Sequence, residues 1–290
     1  TEEAVEIYHR LAADNPATFE PALATSLSNL GIQLAQAGRH NEALTAEQEA
    51  VQIRRRLAAD NPAAFEPDLA TSLSNLGNRL SEAGRHNEAL TATEEAVEIR
   101  RRLAADNPAT FEPDLATSLS NLGNRLAQAG RRNEALTAEQ EAVQIRRRLA
   151  ADNPAAFEPD LARSLSNLGI QLAQAGRHNE ALTATEEAVE IYHRLAADNP
   201  ATFEPDLATS LCVLALALAG EGKLLRALRV TDEAVERYRR YVGTLPSTFP
   251  QLHAAVGLQA LLLDNVGRQQ EAEAVRQWLR ENPLRPDADS

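Results

Sequence analysis

At 290 residues and a formal net charge of −13 at pH 7, the chain is acidic. That balance excludes nucleic acid as the main partner, because phosphate binding needs clustered Lys and Arg. The single cysteine, Cys212, rules out an internal disulfide framework and fits a reducing, cytoplasmic setting. The longest apolar run, Leu211–Ala219, is about half the length of a membrane span, so no membrane partner is expected.

In chain order, Thr1–Asp14 reads as the second half of a repeat, being identical to Thr185–Asp198. Full repeats follow at 15–60, 61–106, 107–152, 153–198 and 199–244, a period of 46 residues. The 61–106 and 107–152 repeats differ at only seven positions. A divergent capping repeat is expected over 245–283, and residues 284–290 are expected to form a flexible tail. A period this regular fixes the architecture as a stack whose core runs between neighbours. The variants in the second half alternate, AEQEAVQ in the first and third repeats and ATEEAVE in the second and fourth. Independent drift does not produce that pattern. Recent duplication or copying between repeats does, so repeat number is expected to vary.

Each repeat predicts two helices. In the second repeat the first helix is expected to begin around Glu66-Pro67-Asp68, with proline in the first helical position and Asp68 beside the positive helix end. Leu69, Leu73, Leu76 and Leu80 then form one apolar stripe. Gly84 ends the helix, Arg85 and His86 make the turn, and Asn87 is the expected N-cap of the next. The second helix runs through Ala89, Ala96, Ile99 and Leu103 until Asp106-Asn107-Pro108 breaks it. Gly77, Ala89 and Ala96 are small enough for the two helices to approach closely. A single hairpin has too little apolar surface to offset its ordering entropy, so neighbours must stack. The expected fold is all-α, a right-handed superhelical solenoid of antiparallel helix pairs with no strand.

Leu73, Leu76-Gly77, Leu80, Gly84, Ala89 and Ala96 together resemble the tetratricopeptide repeat, and the match recurs in every full repeat. The subtype is similar to the long repeats of kinesin light chain. Two features depart from the pattern. The aromatic usual between the two alanines is Glu47, Thr93, Glu139 or Thr185, and the closing proline is delayed. The resemblance implies that the first helices line a concave groove that binds an extended protein or peptide segment.

The residues support such a groove independently. Thr71, Asn75, Asn78 and Glu82 form a polar stripe offset from the leucines. Its equivalents are Thr25, Asn29, Ile32 and Gln36; Thr117, Asn121, Asn124 and Gln128; and Arg163, Asn167, Ile170 and Gln174. Asn29, Asn75, Asn121 and Asn167 make a ladder of amides, each offering a donor and an acceptor to a peptide main chain. Asn78 and Asn124 extend it, and Arg163 is a candidate anchor for a carboxylate or phosphate. The competing reading is a merely solvated helix face. In the fifth repeat the stripe becomes Thr209, Val213, Leu216 and Gly220. Val213 and Leu216 are candidate apolar contacts, unless the divergent last hairpin covers them as a cap. Trp278 is expected to close the end of the core, and Cys212 to be an inert buried thiol.

No phosphate-binding, dinucleotide-binding or nucleophile-elbow motif occurs, so no catalytic residue and no cofactor is expected. His40, His86 and His178 recur at the inter-helix turn, where Arg132 can replace them, which argues against a metal site. Glu94, Glu95 and Glu98 read as a solvated face, with Glu98 pairing Arg102 along the helix. The triplets Arg54–Arg56, Arg100–Arg102 and Arg146–Arg148 read as a basic edge at helix ends. The expectation is a non-enzymatic interaction scaffold. One alternative is the sensor arm of a larger bacterial signalling or defence protein carrying a nucleotide-binding switch or caspase-like protease. The other is a module that self-associates through its array ends.

Overall fold

In most repeats a single residue separates one helix pair from the next. A computed structural model describes residues 2–284; Thr1 and most of the expected tail, 285–290, lie outside them. The described helices are α1 (Glu2–Asp14), α2 (Pro16–Gln36), α3 (His40–Asp60), α4 (Pro62–Glu82), α5 (His86–Asp106), α6 (Pro108–Gln128) and α7 (Arg132–Asp152). They continue with α8 (Pro154–Gln174), α9 (His178–Asp198), α10 (Pro200–Gly220), α11 (Leu224–Tyr241), α12 (Phe249–Asn265) and α13 (Gln269–Glu281). A short 3-10 turn, Pro246–Thr248, precedes α12, and no strand occurs among the described residues. The chain divides into two compact units, residues 1–145 and 146–290. Each is built of helix hairpins packed in tandem.

The first helix of each repeat starts earlier than its sequence suggests. Helix α4 begins at Pro62, so Pro62 takes the first helical position and Pro67 lies inside the helix. Asn61 explains the shift. Its backbone N–H closes α3 onto Leu57 O at 2.9 Å, while its side chain accepts from Ala64 N at 3.3 Å. One asparagine thus ends one helix and caps the next. Proline at 67 costs the bond that Ala63 O would have accepted, but Ala63 is exposed and its carbonyl can be hydrated. The second-helix cap also differs from expectation. Asn87 lies inside α5, and the N-cap is Arg85, which makes no side-chain cap bond. The preceding turn sets this register. Gly84 takes φ +73°, and Arg85 N bonds Leu80 O at 2.8 Å, a Schellman closure that leaves Arg85 as the junction.

In the first unit Leu69, Leu73, Leu80, Ala89, Ala96 and Ile99 are buried together, with Leu76 and Leu103 packed at the edge. Gly77 is required by close approach. A Cβ there would lie 2.8 Å from Thr93 Oγ1 and 3.3 Å from Ala89 O.

The arginine triplets do not form a uniform basic edge. Arg54 and Arg100 are buried, as is Arg146 in the second unit. Arg54 donates to Ser28 Oγ at 3.1 Å and to Ser72, and Ser28 and Ser72 hydroxyls meet at 3.1 Å. Arg100 repeats this with Ser74 at 3.0 Å and with Ser118; Arg146 donates to Ser164. A guanidinium is tolerated between hairpins because hydroxyls from two helices meet its donors. Burial lowers the Arg54 and Arg100 pKa values, opposed by Asp68 and Asp114 respectively. Glu47 is also buried and accepts from Ser28 Oγ at 3.1 Å. Burial raises its pKa, with hydrogen bonds from Ser72 and Ser28 working the other way. In the intervening repeats Thr93 and Thr185 turn their hydroxyls onto Ala89 O and Ala181 O, each at 2.8 Å.

Of the remaining triplet arginines, Arg55, Arg101 and Arg147 reach glutamates of the next hairpin, while Arg56 and Arg102 pair with the first helix of their own hairpin. Arg102 pairs with Glu66 at 2.7 Å, not with Glu98. Glu95 takes Arg55 Nε at 3.3 Å, and Glu94 takes Arg131 at 3.0 Å. Two of the three expected solvated glutamates are therefore inter-hairpin partners.

In the second unit, α10 is the one described helix long and apolar enough to cross a bilayer by length and composition. It packs against α8, α9, α11 and α12, with Leu207, Leu211, Leu214 and Leu218 buried. The end of the core joins Ala208, Val235, Tyr238, Leu252 and Val256, with Trp278 and Cys212 partly buried against them. Burial pushes the Cys212 thiol up to about 12.

Candidate interaction surfaces

The spacing of four, three and four residues places the Asn stripe on one face of each first helix. Contact between Ser28 and Ser72 brings α2 and α4 side by side in the first unit. The stripe then sorts into engaged and free groups. Thr25 and Thr71 bond back to Pro21 O and Pro67 O at 3.0 and 3.1 Å, and also meet the buried Arg54 and Arg100 at 3.4 Å. Asn78 accepts from Arg125 at 2.9 Å, a bridge between α4 and α6. Among the described residues no hydrogen bond reaches the side-chain amides of Asn29, Asn75, Asn121 or Asn124. Asn29 and Asn124 are exposed, and Asn75 and Asn121 half-buried.

Arg79 and Arg125 also belong to this face. Arg79 pairs with Glu82 at 2.9 Å, and burial lowers the Arg125 pKa against the pull of Glu82. The spacing of the stripe does not pick them out. The signal lay in the paired exchange of Gly-Asn-Arg at 77–79 and 123–125 for Gly-Ile-Gln at 31–33 and 169–171.

In the second unit Asn167 is half-buried, with no hydrogen bond to its side chain among the described residues. Arg163 is exposed, but it pairs with Asp160 on its own helix, so it is not a free anchor. Arg163 also offsets the burial that raises the pKa of Asp206. Val213 must be corrected as a contact, because it is 6% exposed on the closely packed α10. Leu216 is 51% exposed, and Leu261 on α12 is 59% exposed. Leu261 stands six residues before Gly267, as Leu216 stands before Gly222 and Ile170 before Gly176. Counting back from the turn glycine would have found it. Ile170, Leu216 and Leu261 thus occupy one register position on three first helices. No group of three His, Cys, Asp or Glu residues able to hold a metal occurs among the described residues.

The tetratricopeptide repeat profile matches residues 23–102 and 68–148, and a second profile of that repeat matches 161–201. No protein of curated function matches. Among solved structures, BtubC (BKLC) from P. vanneervenii superposes with a TM-score of 0.67 at 22% identity, covering 83% of this chain and 89% of that one. The nearly identical repeats of a candidate kinesin light chain from Podosopora anserina give 0.58 at 20% identity, covering 75% and 95%. RapI in its apo form gives 0.65 at 13% identity, covering 89% and 84%. These likenesses establish the fold.

Proposed function

Because the chain belongs to the tetratricopeptide repeat family, we propose that it is a non-enzymatic protein-interaction scaffold whose first helices bind an extended segment of a partner protein. The observation that carries this reading is the set of amides at Asn29, Asn75 and Asn121. They stand at one register position on α2, α4 and α6, half-buried or exposed, with no hydrogen bond among the described residues. Asparagine is a mediocre helix former, so three of them in helix interiors without an internal partner favour an external one. An amide meets both the N–H and the C=O of an extended main chain. Such a grip selects extended conformation more than side-chain identity. In the second unit Ile170, Leu216 and Leu261 suit apolar side chains.

Affinity capture from the source cell's lysate tests this, using the wild-type chain beside the Asn75/Asn121/Asn167→Ala variant. A protein recovered by the wild type and lost from the variant supports the reading. Equal recoveries would move binding away from the amides.

A further inference from the structure

The turn between α10 and α11 breaks a rule that the other turns keep. Arg39–Glu42, Arg85–Glu88, Arg131–Glu134, Arg177–Glu180 and Arg268–Glu271 each form a two-pronged hydrogen-bonded pair across the start of a second helix. At α11 the Arg-His-Asn-Glu of the fourth repeat becomes Lys223-Leu224-Leu225-Arg226. The acidic member is gone, and α11 has no acidic residue in its first turn. A further change puts Arg229 where the fourth repeat has Thr183. Arg226 pairs with Glu186 at 2.7 Å, while Lys223 and Arg229 have no ion pair among the described residues. Lys223 is also the only lysine in the chain.

Apolar surface accompanies the charge. Leu225 is 73% exposed, the highest of the large hydrophobics among the described residues. It replaces an asparagine and shares its helix face with Arg229, four residues on. A cleft of about 450 Å³ is lined by Lys223, Leu224, Leu225 and Arg226 on one side and by Asn265 and Val266, at the end of α12, on the other. Single exposed leucines are ordinary. Here two leucines, an added arginine and a lost glutamate coincide at one cleft, with a second added arginine one turn further on, and the local helix-end rule is broken to put them there.

We propose that this cleft is a second docking site, which takes an acidic segment of a partner protein anchored by one bulky apolar side chain. Charge complementarity selects that occupant. Lys223 and Arg226 line the cleft, Arg226 sharing its charge with Glu186, and Arg229 lies one turn further along α11, on a chain of net charge −13; Leu224, Leu225 and Val266 are the apolar lining. An anionic bilayer is disfavoured as occupant, because the acidic chain as a whole repels it. The site shares no residue with the Asn stripe, and its test does not depend on that stripe.

The experiment selects from a random twelve-residue peptide library on the full chain. In parallel it selects on the variant Lys223→Arg, Leu224→His, Leu225→Asn, Arg226→Glu, which restores the turn of the fourth repeat and so keeps a sequence that already folds here. Peptides enriched only on the wild type should carry a Leu or aromatic flanked by Asp and Glu. They should bind the variant at least tenfold more weakly and lose affinity as salt rises. Carbodiimide should couple their carboxylates to Lys223. Their binding should survive Asn29/Asn75/Asn121→Ala, which separates this site from the first-helix face. The single variants Leu225→Asn and Arg229→Thr should each weaken binding in the same assay. Enrichment that is equal on both chains, absent, or without acidic residues overturns the proposal. Binding of phosphatidylserine vesicles, or a concentration-dependent mass, that the variant abolishes while no acidic peptide is enriched would assign the cleft to lipid or to a second copy, and would also overturn it.

Discussion

Arg100, Arg101 and Arg102 are adjacent and chemically identical, yet they should differ sharply when truncated. Arg100 is 7% exposed, whereas the Arg101 and Arg102 side chains are 53% and 56% exposed. Arg100→Ala removes hydrogen bonds to Ser74 and Ser118 and leaves those hydroxyls, inside the stack, without their donor. Two hydrogen bonds from a charged donor contribute about 1.5 kcal/mol each, and the two buried methylenes that alanine lacks contribute about 1.6 kcal/mol more. Removing a buried charge returns about 2 kcal/mol of desolvation cost. The net expectation is a loss of about 3 kcal/mol. Arg102→Ala breaks an exposed pair with Glu66 and should cost below about 1 kcal/mol. Stacked repeats can unfold in parts, so a guanidinium midpoint should be read together with amide hydrogen exchange in α4, α5 and α6. Equal losses for Arg100→Ala and Arg102→Ala would refute the buried position of Arg100.

The other predictions concern the caps, the buried carboxyl and the amide face. Asn107→Ala should cost about 1 kcal/mol in a denaturant titration, because Asn107 accepts from Thr110 N as the N-cap of α6. Glu47 has a raised folded pKa, so its contribution is fully present below its unfolded value near 4.5 and is lost as pH rises through the folded value. Glu47→Gln should therefore be more stable than wild type at pH 7, with the advantage shrinking toward pH 4, as thermal melts across that range would register. Asn29/Asn75/Asn121→Ala should be slightly stabilising, by up to about 0.5 kcal/mol per site, because alanine is the better helix former. The same variant should lose its partner, and a variant that is both less stable and still binding would contradict the assignment.

The repeat, the leucine stripe and the small-residue contacts were legible because each follows from periodicity and size. The helix starts were not, because proline at 67 looked like a first-turn residue while Asn61 and Pro62 already supplied a cap and a better one. The depth of Arg54, Arg100 and Arg146 was hidden by the rule that arginine is exposed. The sequence did carry a hint, since Tyr8, Tyr192 and Tyr238 occupy the same register position. A site that alternates Arg with Tyr needs a long apolar body and a polar tip. Tyr238 shows this, with its hydroxyl 2.7 Å from Thr209 Oγ1 and its pKa pushed up to about 12 by burial. Asp68, Asp114 and Asp160 follow Arg54, Arg100 and Arg146, while Ala22 follows Tyr8. Asp206 equally follows Tyr192, so the aspartate is not reserved for repeats with a buried arginine. Spacing alone marks the Asn stripe, but only the fold separates the free Asn75 and Asn121 from Asn78, which Arg125 holds.

The central claim, that the first-helix amides grip a partner's main chain, is tested most directly by a crystal structure of the chain with the captured partner segment. The account predicts main-chain N–H and C=O groups of that segment within about 3 Å of the Asn75 and Asn121 amides. A segment seated on the second helices, with those amides left to solvent, would contradict it.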